Sequence, residues 1–129
     1  MDKIKPLNIL LVEDNLKYVK LFHYLLEEDD SLDIEIQHAP TLDHAMKLLD
    51  QKRSDLIVLD LFLPDSRGLD SLRSIQKKYP NIPIVFLTAL DDAELKRQAL
   101  QQGAKGYLLK DQIIEHFIPT VRNLLPILS

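Results

Sequence analysis

The chain has no cysteine, which excludes disulfides, thiolate metal sites and a thiol nucleophile. It has only three glycines, and neither a dinucleotide-binding fingerprint nor a P-loop occurs. Long apolar runs are missing as well. The opening MDKIKPLNILLV carries one short apolar stretch next to Pro6, unlike a signal peptide or a membrane span, so the expected location is the cytoplasm. There is no basic stripe. Sixteen Lys and Arg stand against twenty Asp and Glu, a net charge of −4, which argues against the backbone of a nucleic acid as a partner.

What remains is one domain's worth of chain: 129 residues, 46% hydrophobic and 28% charged, enough to bury a core without covalent staples. Apolar runs and helical patterns alternate five times. Strands are expected at residues 8–12, 32–37, 56–59, 84–87 and 106–109. Helices are expected after each, capped at Asp14 or Asn15, opened by Thr41, started at Gly68, begun by the Asp91/Glu94 capping-box spacing with Gly103 at the far end, and begun near Asp111. Five strand–helix units imply a parallel sheet covered by helices on both faces. The second segment alternates apolar and polar residues and the fifth is short, as edge strands should be, whereas the others are apolar throughout. The expected fold is therefore α/β, a five-stranded parallel sheet in the order 2-1-3-4-5, doubly wound with five helices in the flavodoxin-like topology. Pro119 lies within the apolar pattern of the last helix, so a kink or break is expected between Glu115 and Pro119.

Ligands of such sheets bind beyond the carboxyl ends of the strands, near the point where the strand order reverses. The first strand is followed by Glu13 and Asp14, the third by Asp60, the fourth by Thr88 and the fifth by Lys110. The second ends in Ala39-Pro40 and offers nothing chemical. Three carboxylates, a hydroxyl and an ammonium thus converge on one rim. This set suits phosphoryl transfer to a carboxylate. Mg2+ takes hard oxygen ligands and needs only one or two carboxylates; Asp14 and Asp60 are the natural direct ligands, with Glu13 acting through water. Asp60 can form an acyl phosphate. Lys110 and the metal balance the phosphoryl charge, and Thr88 can donate its hydroxyl.

Four segments carry a resemblance: LLVEDN (residues 10–15), LIVLDLFLPDSRGLD (56–70), PIVFLTA (83–89) and GAKGYLLK (103–110). In this order and spacing they resemble the signature segments of response-regulator receiver domains, over nearly the whole of residues 1–129. The resemblance implies that Asp60 is the phosphoacceptor, that Glu13 and Asp14 are the acidic metal pair, and that the Phe62 carbonyl is a backbone metal ligand. It implies that Thr88 is the switch hydroxyl, Lys110 the phosphate-binding lysine and Tyr107 the switch aromatic. It further implies a histidine kinase or histidine phosphotransfer protein as donor, and a domain that catalyses only its own phosphorylation and dephosphorylation. One departure is Asp111, where receivers usually place a proline. A cis bond without proline costs about 3 kcal/mol, so a trans bond is expected after Lys110.

Plainer readings stand beside these. Asp14 can be a helix cap, Thr88 a hydroxyl at the rim of the core, and Tyr107 a packing residue; Pro64, Asp65 and Gly68 read as a turn and helix start. His23, His38, His44 and His116 have no partner at metal-ligand spacing and read as ordinary surface or boundary residues. The main rival function is a degenerate receiver that serves only as a constitutive binding module, although the full acidic and basic set is retained. An aspartyl-phosphate hydrolase of the Asp-x-Asp kind is disfavoured by Glu13-Asp14-Asn15. Leu124, Leu125, Ile127 and Leu128 crowd the end of the chain and suggest packing on a second copy, a homodimer through the last helix, or on a missing neighbour. The chain also reads as a possible excision from a longer protein.

Overall fold

The computed structural model describes residues 6–128. Five apolar segments form β1 (Leu7–Val12), β2 (Ile34–Ala39), β3 (Leu56–Asp60), β4 (Ile84–Thr88) and β5 (Gly106–Leu109). The helices are α1 (Leu16–Glu28), α2 (Leu42–Gln51), α3 (Leu69–Lys78), α4 (Ala93–Gln101) and α5 (Ile113–Leu124). All pairings are parallel and the sheet order is β2-β1-β3-β4-β5, as the hydrophobic patterning implied. None of the described helices is long and apolar enough to cross a membrane.

Alternation along the strands builds two cores, one on each face of the sheet. Ile9, Leu11, Val58, Val85 and Leu87 face α1 and α5, which contribute Val19, Phe22, Phe117 and Val121. The Phe22 and Phe117 rings meet edge to face at 4.8 Å, a favoured aromatic geometry. Leu10, Val12, Ile57, Leu59 and Phe86 face the other way, toward Ala45, Leu49, Leu72, Ile75 and Ala99 of α2, α3 and α4. β1, β3 and β4 bury residues of both parities, hence their unbroken apolar character. β2, at the edge, alternates partly buried and exposed positions. It lies two residues later than its pattern suggested, because it pairs in register with β1 from Leu7↔Ile34 to Val12↔Ala39.

Of the helix starts, one settles an open choice and one departs from expectation. α1 is capped by Asn15 and not by Asp14: Asn15 Oδ1 accepts from the Lys17 N–H at 3.0 Å. α4 is capped by Asp92, one residue beyond the expected Asp91, and its Oδ1 accepts from the Glu94 and Leu95 N–H groups. Gly103 follows α4 with φ 105°, a conformation that a side chain disfavours. The expected break in the last helix does not occur. α5 runs unbroken from Ile113 to Leu124 with Pro119 inside it. Pro119 and Glu115 are exposed while Ile113, Phe117, Ile118 and Val121 are buried. The carbonyl that the proline leaves unbonded is thus on the wet side, where water can serve it, and packing of the other side holds the helix together. The Lys110–Asp111 bond is trans, as expected for a bond without proline.

At the chain end, Leu124 and Leu128 fold onto the α1–α5 core. Leu125 and Ile127 remain exposed, at 37% and 54%. Two of the four crowded residues are therefore satisfied within the chain.

Candidate functional site

β1 delivers Glu13 and β3 delivers Asp60 to the same rim, and both side chains are buried. Asp14 is exposed beside them. With the helix cap supplied by Asn15, Asp14 is free to face the rim. One carboxylate oxygen from each of Glu13, Asp14 and Asp60 lies within 4.8 Å of the other two. β5 ends in a 3₁₀ turn, Lys110–Gln112, and the Lys110 ammonium stands 2.5 Å from Glu13 Oε1 and 3.1 Å from Asp60 Oδ2. Both oxygens of Asp60 are engaged, since the Phe62 N–H donates to Oδ1 at 3.0 Å. The Asn15 N–H donates to Glu13 Oε2 at 3.2 Å.

Two buried acids sharing one cation leave a surplus of negative charge. Burial, with the Asp60 carboxylate alongside, pushes Glu13 up to about 7 against the opposing pull of Lys110 and the Asn15 N–H. Burial works against the Lys110 ammonium, but Glu13 and Asp60 outweigh it and hold its pKa above the ordinary lysine value. Glu13 Oε1 meets the lysine closely in distance but not in hydrogen-bond direction, so this buried oxygen has no directed donor. An undirected buried oxygen, three converging carboxylates and a raised acid fit a small hard cation.

Thr88 is fully buried at the end of β4, one residue past Leu87, which pairs with Asp60. Its Oγ1 accepts from the Leu90 N–H at 3.1 Å, so its oxygen is engaged on its own loop. The partly buried Tyr107 donates its hydroxyl to the Leu90 carbonyl at 2.8 Å. Burial, with the charge of Asp92, holds this phenol above its ordinary pKa and keeps it a donor. Thr88 and Tyr107 thus grip the two faces of one residue, Leu90. The loop that carries Phe62 is fastened separately. Phe62 bridges to Arg67, the Gly68 N–H donates to the Leu61 carbonyl at 2.6 Å, and both Asp65 oxygens accept from the start of α2, at Leu42 and Asp43, at 2.9 Å each.

The chain matches the family model described as "Response regulator receiver domain" over residues 9–122. It belongs to the response-regulator receiver family. Among curated relatives, the transcriptional regulatory protein YdfI of Bacillus subtilis is 34% identical over 88% of this chain and 52% of its own length. The regulatory protein LuxO of Vibrio cholerae is 34% identical over 88% of this chain and 24% of its own. The receiver thus spans about half of the one and a quarter of the other. Among solved structures, the non-phosphorylated HemR receiver domain of Leptospira biflexa is 32% identical with a TM-score of 0.79, covering 93% of this chain and 94% of that one. A putative response regulator of Chloroflexus aurantiacus superposes with a TM-score of 0.83 over 95% of this chain and 99% of that one, at 23% identity.

Two neighbours of this receiver's rim were given no part in the site by the sequence. His38, on the strand read as chemically silent, places Nε2 2.7 Å from the Glu13 carbonyl. A carbonyl only accepts, so Nε2 carries the proton. The register of an edge strand beside β1 was the available signal. Tyr18, in the first turn of α1, turns its ring to Lys110, whose Nζ lies 4.5 Å from the centroid. It stands three residues after the helix cap Asn15.

Proposed function

We propose that this receiver takes a phosphoryl group onto Asp60 from a phosphohistidine, carried by a histidine kinase or a histidine phosphotransfer protein. The observation that carries the reading is the Asp60 carboxylate, buried yet paired with Lys110 and crowded by two further acids. A buried charge so placed is costly unless used. Asp14, Asp60, the Phe62 carbonyl and, through water, Glu13 are the residues that would hold Mg2+, which when bound offsets negative charge on the acids and the phosphoryl group. An Asp60 oxygen attacks phosphorus and the bond to the donor imidazole nitrogen breaks. That nitrogen keeps the electron pair and then takes a proton. Lys110 moves from Asp60 to a phosphoryl oxygen, and Thr88 turns its O–H toward another.

The shared grip on Leu90 gives this step a readout. Turning Thr88 toward the phosphoryl group disturbs its bond to the Leu90 N–H, and the loop that shifts also holds Tyr107. The surface of α4, β5 and α5 is then biased by a local charge change. Residues 1–129 are read as one receiver unit of the cytoplasm, without nucleic-acid contacts of its own. A second copy meeting at Leu125 and Ile127 would appear as concentration-dependent sedimentation, and a strictly monomeric protein would exclude it.

The test is incubation with Mg2+ and acetyl phosphate or phosphoramidate, followed by peptide mapping. One phosphoryl mass on Asp60, absent in Asp60→Asn, is expected. Persistence of the adduct in that variant would show another nucleophile. Amide shifts on phosphorylation should cluster on α4, β5 and α5; shifts confined to α2 would remove the proposed switch surface.

A further inference from the structure

Lys110 has three N–H donors. One is given to Asp60 Oδ2 at 3.1 Å, while Glu13 Oε1 lies 2.5 Å away without a directed hydrogen bond; the ammonium also stands over the Tyr18 ring, 4.5 Å from its centroid. The lysine side chain is only 13% exposed, so the ring substitutes for water on that side, and a cation over an aromatic face is most strongly held where water is excluded. We propose that Tyr18 is a positioning residue that acts through Lys110, holding the ammonium for delivery to the phosphoryl group. This rests on Asp60 being the phosphoacceptor. As the phosphoryl group arrives, the contact with Asp60 is exchanged for one with a phosphoryl oxygen, while Glu13 competes for the same ammonium. The attraction of the ring does not depend on the Asp60 contact and is retained through the exchange. The lysine thus pivots over Tyr18 and does not retreat onto Glu13. The ring face performs this role, and the hydroxyl does not. Lys17 also approaches the ring, at 5.5 Å, but it is exposed and water weakens its contact.

The test compares the initial rate of Asp60 phosphorylation by acetyl phosphate with Mg2+ in wild type, Tyr18→Phe, Tyr18→Leu, Lys17→Ala, Lys110→Ala and the Tyr18→Leu/Lys110→Ala double variant. Tyr18→Leu should be slower by roughly three- to tenfold, Tyr18→Phe and Lys17→Ala should match wild type, and Tyr18→Leu should add nothing in the Lys110→Ala background. Independently of phosphorylation, the Lys110 ε-methylene protons should be shifted upfield by the ring in wild type and Tyr18→Phe, and should return to ordinary positions in Tyr18→Leu. Equal rates for wild type and Tyr18→Leu with Asp60 labelled would overturn the positioning role and leave the phosphoacceptor standing. A slow Tyr18→Phe, or additivity with Lys110→Ala, would overturn it too. An unlabelled wild-type Asp60 would remove the phosphoacceptor reading and this inference with it, whatever the proton shifts show.

Discussion

At the amino end of the sheet, where α2 and α3 finish, Asp50 receives Lys78 at 2.7 Å with the two side chains 47% and 55% exposed, and the Tyr79 hydroxyl also donates to it. At the carboxyl end, Glu13 and Lys110 meet at 2.5 Å with side chains 0% and 13% exposed, and a second buried acid shares the same lysine. Both clusters set a lysine against carboxylate. The first is a solvated tie between helices that stability scarcely notices. The second removes two carboxylates from water and gives them one cation, so the sheet carries unrelieved repulsion on the rim where its strand order reverses. That surplus is what a metal ion and a phosphoryl group can act upon.

The largest expected contrast comes from removing each lysine. Lys110→Ala leaves two buried carboxylates unpaired and should cost about 3 kcal/mol or more of stability at pH 8, measured by urea denaturation without metal. Lys78→Ala, at the exposed pair, should leave the denaturation midpoint unchanged within error. Comparable losses at both ends would erase the distinction.

Acidity should separate the ends next. Glu13 is raised in the folded state from its ordinary 4.5 to about 7, so between these values the folded chain holds a proton that the unfolded chain has released. Stability of the metal-free protein should therefore be greatest near pH 4.5 and fall as pH rises to about 7, by on the order of 3 kcal/mol from this group. Glu13→Gln should flatten that slope. Asp50 is shifted in the opposite direction, held low by Lys78 and Tyr79, and Asp50→Asn should leave the slope over pH 5–7 in place. A wild-type profile that rises over this window would contradict the assignment.

Side chains that shape the rim without bearing charge should have smaller effects. Phe62 and Leu90 are 47% and 46% exposed, and their backbone N–H groups reach Asp60 and Thr88 respectively. Neither side chain can orient a water for attack on the acyl phosphate. A Phe62→Asn, Leu90→Gln variant should lose its phosphoryl group faster, by about tenfold, as a positioned water is gained. A variant no faster than wild type would show that these side chains do not guard the phosphate. Away from both ends, Pro119→Ala should restore a helix donor and raise stability by about 1 kcal/mol, since the lost backbone bond outweighs the entropy that proline saves in the unfolded chain.

The order of the sheet was legible because β1, β3 and β4 are covered on both faces and β2 on one, which leaves opposite patterns in the sequence. The rim residues were legible because Glu13, Asp60, Thr88 and Lys110 sit at strand ends, and a parallel sheet brings those ends together. Side-chain direction was not written there. That Asn15 takes the cap of α1, that His38 reaches a backbone carbonyl, and that Tyr18 covers Lys110 all depend on register and helix rotation. Pro119 misled for a related reason. Local chemistry argues for a break, but packing of Phe117, Ile118 and Val121 decides, with the proline on the wet face.

Repulsion among the acids of the carboxyl rim is measured most directly by the melting temperature of wild type and Asp60→Asn at pH 8, with and without Mg2+. Without metal, Asp60→Asn should melt higher than wild type, because Glu13 then keeps Lys110 to itself. Mg2+ should raise wild type well above its metal-free value and move the variant little. A variant that melts lower than wild type without metal, with equal Mg2+ shifts in both, would contradict the account.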